Sequence, residues 1–273
     1  MEELLANPAV QAGVAPFLSA LAAAAVLRRT RLLGIAVALA FALVIALTVG
    51  FAFDPLTAAR KLVLIGLGTA ILVLALEMPG TSPKPALRAA LCAAAASAAV
   101  WMVWRVLLQQ EPAQATLYGL AAGAYIAALL ESCLRATDDG MRTSGISLML
   151  GLAAGALALL GASALLAQIG IAVAAGAGAV VLVQVIGGQR GPAGWTLVLP
   201  AAVISGLAGL LAVFTGSLPW YCLLPTLGIP WAARLVRQER HPPWLAALLT
   251  ALAGLVPMSV AVGLAWSAAR MST

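Results

Sequence analysis

The chain has 273 residues, of which 63% are hydrophobic and only 9% are charged, and its formal net charge at pH 7 is +6. Its mean hydropathy of +1.07 lies far outside the range of soluble globular domains, in which roughly a quarter of the residues are charged. Composition therefore excludes a water-soluble fold. It predicts an all-α polytopic integral membrane helix bundle, with residues 1–273 as a single transmembrane domain.

Ten apolar segments are long enough, some with help from their flanks, to cross a hydrocarbon core of about 30 Å as helices. In chain order the predicted spans are 10–27, 32–53, 62–76, 86–108, 117–130, 144–167, 169–186, 195–214, 220–235 and 244–266. The third, fifth and ninth are short. The sequence thus predicts about ten transmembrane helices joined by short loops.

The sixth and seventh spans are separated only by a turn. Residues 144–186 contain no charged side chain, and as one helix they would be roughly 65 Å long at 1.5 Å per residue, about twice the membrane core. The segment must therefore fold back on itself. Gln168-Ile169-Gly170 is polar and flexible, so we expect a tight turn at these three residues.

The positive charges fix a predicted orientation. Eleven of the fifteen Lys and Arg residues lie in alternate gaps between the spans, starting with the first gap: Arg28, Arg29, Arg31, Lys84, Arg88, Arg135, Arg142, Arg190, Arg234, Arg237 and Arg240. The positive-inside rule places these gaps in the cytoplasm and both termini on the non-cytoplasmic side of a bacterial-type inner membrane. Because the clusters are short and lie at span ends, we expect membrane lipid rather than nucleic acid as their partner.

Two spans share a six-residue string. GLAAGA begins at Gly119 in the fifth span and at Gly151 in the sixth, so each helix has two glycines four residues apart on one face. Such faces allow close helix packing, and a duplicated element is the other interpretation. Five spans in each half, 1–143 and 144–273, would form an inverted repeat of the kind found in secondary transporters.

Four charged residues near the predicted outer ends of spans two, three and four are the candidate substrate-binding residues, because charges at membrane depth are costly unless paired, wet or functional. They are Asp54, Arg60, Lys61 and Arg105, and their excess of cations would attract an anion. In the alternative interpretation Arg105 extends to the interface beside Trp101 and Trp104, while Asp54 pairs with Arg60.

Glu131 ends the fifth span on the predicted cytoplasmic side and follows Tyr118 and Tyr125. A desolvated carboxylate at this position could carry a proton, so Glu131 is the candidate coupling carboxylate. The alternative is a solvated carboxylate that pairs with Arg135 or Lys84. Asp138 and Asp139 resemble a magnesium-binding pair, but without a second acidic motif they are interpreted as a turn, and no metal or cofactor is expected.

The ninth span contains prolines that interrupt a regular helix. Pro225 and Pro230 each remove a backbone donor, so this span is predicted to be a broken helix of the kind that lines transport sites. A packing kink without function is the alternative.

The leading functional hypothesis is a secondary transporter or permease of a small solute. The alternative is a non-catalytic subunit or scaffold that packs against another integral membrane protein or a second copy of the chain. A lipid-handling enzyme is the third hypothesis. HExxH, GxSxG and P-loop motifs are absent from the sequence, so we expect no enzyme activity.

Overall fold

The computed structural model describes residues 7–51, 53–77, 84–188, 194–216 and 218–271, which form helices and contain no strand. The all-α polytopic bundle predicted from composition is confirmed. The helices are α1 (Val10–Leu27), α2 (Arg31–Thr48), α3 (Ala58–Glu77), α4 (Pro85–Leu107), α5 (Pro112–Leu134), α6 (Gly140–Leu160), α7 (Ala164–Gly187), α8 (Gly194–Thr215), α9 (Gly228–Leu235) and α10 (Pro243–Met271). A 3₁₀ helix, Trp220–Leu227, leads directly into α9.

Nine helices in the described part of the chain, all except α9, are long and apolar enough to cross a membrane. The protein is therefore a multi-pass membrane protein. The 3₁₀ helix and α9 have eight residues each, and at about 2.0 and 1.5 Å per residue they extend roughly 28 Å together, close to the thickness of the hydrocarbon core.

The 220–235 segment runs alongside α5 for its whole length. Trp220 lines the same cavity as Tyr118 near the start of α5, and Arg234 donates a hydrogen bond to the Ser132 carbonyl near its end, at 2.7 Å. The segment therefore crosses the bundle from one end to the other. With the nine long helices it gives ten crossings.

The predicted turn at residues 168–170 is wrong. The turn between α6 and α7 consists of Gly161, Ala162 and Ser163, where Ala162 has a φ of 60° and the Ser163 hydroxyl caps α7 by accepting from the Leu166 amide. A serine cap satisfies an amide that the first turn of a helix leaves unpaired. Gly170 lies inside α7, where its lack of a side chain permits close packing against Gly155.

Contacts between distant loops show which loops share an end of the bundle. The Thr196 hydroxyl donates to the Arg31 carbonyl at 2.9 Å, and the Arg142 guanidinium donates to the Val236 carbonyl at 3.1 Å. The Ser144 hydroxyl, near the start of α6, also donates to the Gln184 side chain near the end of α7, which precedes the loop before α8. The loops before α2, α6, α8 and α10 therefore lie together at what we call the basic end. Its described cations are Arg28, Arg29, Arg31, Lys84, Arg88, Arg135, Arg142, Arg234, Arg237 and Arg240; Arg190 lies outside the described residues.

The other end of the bundle, here the opposite end, has fewer cations. Lys61 donates from Nζ to the Trp101 carbonyl at 2.9 Å, which brings the start of α3 to the end of α4. Because the crossings alternate in direction, Val10 and Met271 both lie at this end. The assignment of the basic end to the cytoplasm stays a prediction.

α8 is the central helix, with 89% of its span buried against 22% for α1 and for α10. It packs against α3, α5, α6 and α7. The two halves of the chain do not have equivalent contacts in the described residues: α6 packs on α7, α8 and α10, whereas α1, its counterpart in a five-plus-five scheme, packs mainly on α2 and α7. The inverted repeat stays a prediction.

The two GLAAGA strings pack differently. A Cβ atom on Gly151 would lie only 2.5 Å from the backbone nitrogen of Ala174, so α6 and α7 are in close backbone contact. A Cβ atom on Gly119 would meet nothing nearer than Leu107 Cδ1, at 3.5 Å, which is an ordinary contact. Only the copy in α6 is used for tight helix packing.

Candidate functional site

A cavity of about 620 Å³ lies near the opposite end, between the last turn of α4, the first half of α5, the last part of α8 and the 3₁₀ helix. We call it the α5 cavity. Its walls are mostly apolar and include Leu117, Leu210, Phe214 and Leu224. Among the described residues that line it, Gln110, Tyr118, Tyr125 and Trp220 carry polar side-chain atoms and none is charged.

A hydrogen bond between two helices forms the inner end of the α5 cavity. Tyr125 Oη and Thr226 Oγ1 are 2.9 Å apart, and Thr226 Oγ1 lies 2.6 Å from the Leu223 carbonyl, to which it donates. Because the threonine hydroxyl has one proton, the tyrosine hydroxyl must donate to the threonine oxygen. Tyr125 Oη therefore keeps an acceptor position available for another group.

Ser205 lies on α8 beside this hydrogen bond. Its side chain is buried, with 3% of the residue exposed, and its hydroxyl has no hydrogen-bond partner among the described atoms. Buried hydroxyls in proteins nearly always have a partner, and within a bilayer the lack of one is especially costly. Ser205 therefore provides an unused polar group at the middle depth of the bundle.

The space behind Tyr125, on the side that faces α6 and α8, is closed. The void lined by Ser205, Thr226, Leu129, Leu150 and Leu157 has a volume of about 10 Å³, which is at the lower limit for a single water molecule. The α5 cavity therefore ends on this side at packed side chains, whereas Leu117, Trp220 and Leu224 in its lining are exposed on the surface of the bundle.

The four charged candidates lie at the opposite end but do not line the α5 cavity. Arg60 donates to the Pro55 carbonyl at 2.9 Å rather than to the Asp54 carboxylate, which is exposed. Lys61 is 6% exposed and lies over the Trp101 ring, with Nζ 4.9 Å from its centroid. Arg105 is exposed. Their substrate-binding role stays a prediction.

Glu131 forms an ion pair with Arg135, with 2.7 Å between Oε1 and Nε, and about one third of its side chain (33%) is exposed. Its second carboxylate oxygen contacts the Cys92 sulfur at 3.8 Å. Of the two partners proposed for a solvated carboxylate, the structure thus brings Arg135 to it. The coupling role of Glu131 stays a prediction.

The adjacent residues Asp138 and Asp139 lie just before α6, and Asp139 caps the start of that helix. Asp139 accepts hydrogen bonds from the amides of Met141 and Arg142, at 2.9 and 3.0 Å, which is the geometry of a helix cap. Asp138 is exposed. Within the described residues no group of three or more His, Cys, Asp or Glu side chains is placed to hold a metal ion.

The 220–235 segment changes its hydrogen-bond pattern without unwinding. Pro225 lies inside the 3₁₀ helix and Pro230 is the third residue of α9. Leu227 and Gly228 between them keep helical backbone angles, with φ and ψ of −61° and −25° and of −72° and −21°. The prolines therefore lie on either side of a junction between two kinds of helix.

Sequence analysis did not identify Ser205 and Thr226 as site residues. Each is a hydroxyl residue in the middle of an apolar span, which is a usable signal. Their approach to Tyr125, 101 residues from Thr226 in the chain, depends on which helices are neighbours and cannot be inferred from local patterns.

The chain matches no protein-family model, and no curated protein or solved structure resembles it significantly. The function must therefore be argued from the geometry of the α5 cavity.

Proposed function

We propose that this protein is a permease for a small, mainly apolar solute that carries at least one hydrogen-bonding group. The observation that carries the proposal is the α5 cavity, which lies near the opposite end, has the exposed residues Leu117 and Trp220 in its lining and is closed behind Tyr125. Its volume of about 620 Å³ lies within the range of roughly 300–1,000 Å³ that is usual for small-molecule sites.

The lining of the cavity supports an uncharged solute. A charged group that left water for these apolar walls would lose its hydration without gaining an oppositely charged partner, at a cost of several kcal/mol or more. A neutral polar group needs only a hydrogen bond. The open acceptor position on Tyr125, which lines the cavity, can accept one from a donor group of the solute.

The 3₁₀ helix provides a means of switching access. A 3₁₀ stretch within a longer helix often marks a hinge, because its hydrogen bonds are poorer than those of an α-helix. Conversion of Trp220–Leu227 to an α-helix would shorten it by about 4 Å. This movement would pull Thr226 away from Tyr125 and open the leucine layer toward the basic end.

The charged candidates have separate roles in this proposal. Asp54, Arg60, Lys61 and Arg105 lie at the same end as the cavity entrance and set the electrostatic potential there. Glu131, at the basic end of α5, is the coupling carboxylate. With the basic end in the cytoplasm, the described conformation faces the non-cytoplasmic side of an inner membrane.

Cysteine accessibility tests the proposal without knowledge of the solute. In a variant from which Cys92, Cys133 and Cys222 have been removed, Leu224→Cys in the cavity should react with a membrane-impermeant maleimide added on the opposite side. Leu150→Cys, within the closed layer, should react slowly from the basic side as the cavity alternates. Leu197→Cys, which is fully buried on α8, is the control and should not react.

Two results would contradict transport. If Leu224→Cys is as unreactive as Leu197→Cys, the cavity is not accessible from solution. If Leu150→Cys never reacts from the basic side, the cavity does not alternate, and a static role is indicated.

The alternative, a non-catalytic subunit, is favoured by the dense packing of α6, α7 and α8. Gly151, Gly155 and Gly170 bring the α6 and α7 backbones into contact, and such a rigid core suits a scaffold. Gentle purification from the native membrane distinguishes the two functions, because a subunit should copurify with a stoichiometric integral membrane partner.

A further inference from the structure

A second cleft, of about 630 Å³, lies at the basic end, between the 235–241 segment and α10. We call it the α10 cleft. It is lined by Leu235, Val236, Arg237, Arg240, His241, Leu249, Leu252 and Ala253. One wall is therefore cationic and the other is aliphatic, which distinguishes it from the uncharged α5 cavity.

We propose that the α10 cleft binds an anionic phospholipid, with the phosphate of the headgroup on Arg237 and Arg240 and an acyl chain along Leu249 and Leu252. Guanidinium groups bind phosphate through paired, charge-assisted hydrogen bonds. Both arginines are exposed, so their donors can reach a ligand in the cleft. Basic pockets between transmembrane helices at the cytoplasmic end are a recurring form of lipid site.

The depth of the cleft fits a headgroup. Trp231 on α9 and Trp244 at the start of α10 are both more than half exposed, and tryptophan rings favour the level of the headgroups. The cationic wall of the cleft, residues 235–241, lies between them in the chain. Its aliphatic wall continues onto the surface of α10, where Leu252 and Leu255 are exposed and would face the acyl chains.

The aliphatic wall also favours a lipid over free phosphate. A free phosphate ion would use the arginines but would gain nothing from Leu249 and Leu252, whereas an acyl chain buries apolar surface against them. Glu239, in the same 3₁₀ turn as Arg240, is exposed and does not line the cleft. The cleft therefore keeps a positive potential.

Binding of short-chain phosphatidylglycerol, measured by native mass spectrometry of the full chain in detergent, tests the proposal. Short-chain phosphatidylcholine and inorganic phosphate are the comparison probes. The test variant is Arg237→Gln with Arg240→Gln. The control is Arg28→Gln with Arg29→Gln, which removes the same charge from exposed residues at the same end but outside the cleft.

A basic residue near an anionic lipid contributes about a fivefold factor in binding, so the test variant should bind phosphatidylglycerol about 25-fold more weakly. The control should bind it as the parent protein does. Replacement of both cleft arginines by lysine should give an intermediate loss, because the charge is kept and the paired geometry is not.

Three outcomes would overturn the proposal. Equal losses in the test and control variants would mean that general electrostatic attraction, rather than the cleft, holds the lipid. Equal affinity for phosphatidylglycerol and phosphatidylcholine would remove the role of the negative charge. Inorganic phosphate binding as tightly as the lipid would identify a free-anion site instead.

Discussion

Replacement of Gly151 by alanine is the sharpest test of the packing, because the chain contains its own control in the same six-residue string. The added Cβ would lie 2.5 Å from the Ala174 nitrogen and 2.9 Å from both the Ala174 Cα and the Gly170 carbonyl oxygen. All three atoms belong to the backbone of α7, so no side chain can rotate away. The two helices must move apart instead.

The size of the effect follows from these distances. An ordinary contact begins at 3.4 Å, so the backbones must separate by about 0.9 Å at this point. A gap of this size forfeits a quarter to a half of the local dispersion energy, and overpacking typically costs about 1–3 kcal/mol. Alanine returns up to about 1 kcal/mol through its higher helix propensity. We expect a net loss of roughly 1–2 kcal/mol in the free energy of unfolding.

Gly119→Ala is the matched control. Its Cβ would contact only the flexible end of Leu107, at 3.5 Å, so the propensity gain of up to about 1 kcal/mol should remain. The free energy of unfolding of each variant can be measured by titration with sodium dodecyl sulfate in mixed micelles, followed by circular dichroism. If Gly151→Ala proves as stable as Gly119→Ala, the close contact between α6 and α7 is refuted.

Three further predictions concern the candidate site and the membrane ends. Tyr125→Phe removes the hydrogen bond to Thr226 and should lower the free energy of unfolding by about 0.6–1.5 kcal/mol. The control is Ser97→Ala, because the Ser97 hydroxyl bonds only a carbonyl of its own helix. A loss in Tyr125→Phe no greater than that in Ser97→Ala would mean that the bond to Thr226 contributes nothing. Arg105→Glu should leave the reactivity of Leu224→Cys toward an uncharged maleimide within about twofold of the parent rate, because Arg105 does not line the cavity and its potential does not act on an uncharged reagent. A complete block of labelling would return Arg105 to the site. Glu131→Gln breaks a partly exposed ion pair and should change the free energy of unfolding by less than about 1 kcal/mol. In proteoliposomes the same variant should abolish proton-driven accumulation of the solute. Undiminished accumulation would eliminate the coupling role.

Composition and the spacing of charged residues were sufficient to predict the all-α membrane architecture. A helix that crosses a membrane must be long and apolar and satisfies its backbone hydrogen bonds internally, so helical spans can be recognised without knowledge of their neighbours. The same pattern placed basic loops in alternate gaps, and the contacts Arg31–Thr196 and Arg142–Val236 bring those loops to one end.

The turn at Gly161-Ala162-Ser163 shows where local interpretation failed. The polar and flexible residues Gln168 and Gly170 led the sequence analysis to place the turn there, although Gly161 and Ser163 also have residue types that suit a turn. The decision depended on a neighbour, because Gly170 permits close contact with Gly155 on α6. For the same reason two identical GLAAGA strings pack differently.

The candidate site, like the turn, depends on helix neighbours that the sequence does not specify. The sequence by itself determined an all-α membrane bundle, its ten apolar segments and the alternation of its basic loops, because these depend only on transfer of each segment from water to lipid. The tertiary structure alone decided that Tyr125 bonds Thr226, that the Ser205 hydroxyl is left without a partner among the described atoms, and that a cavity lies beside Tyr125 near the opposite end. Those features depend on which helix faces packed against each other, and apolar faces of similar composition do not specify a partner at the level of sequence.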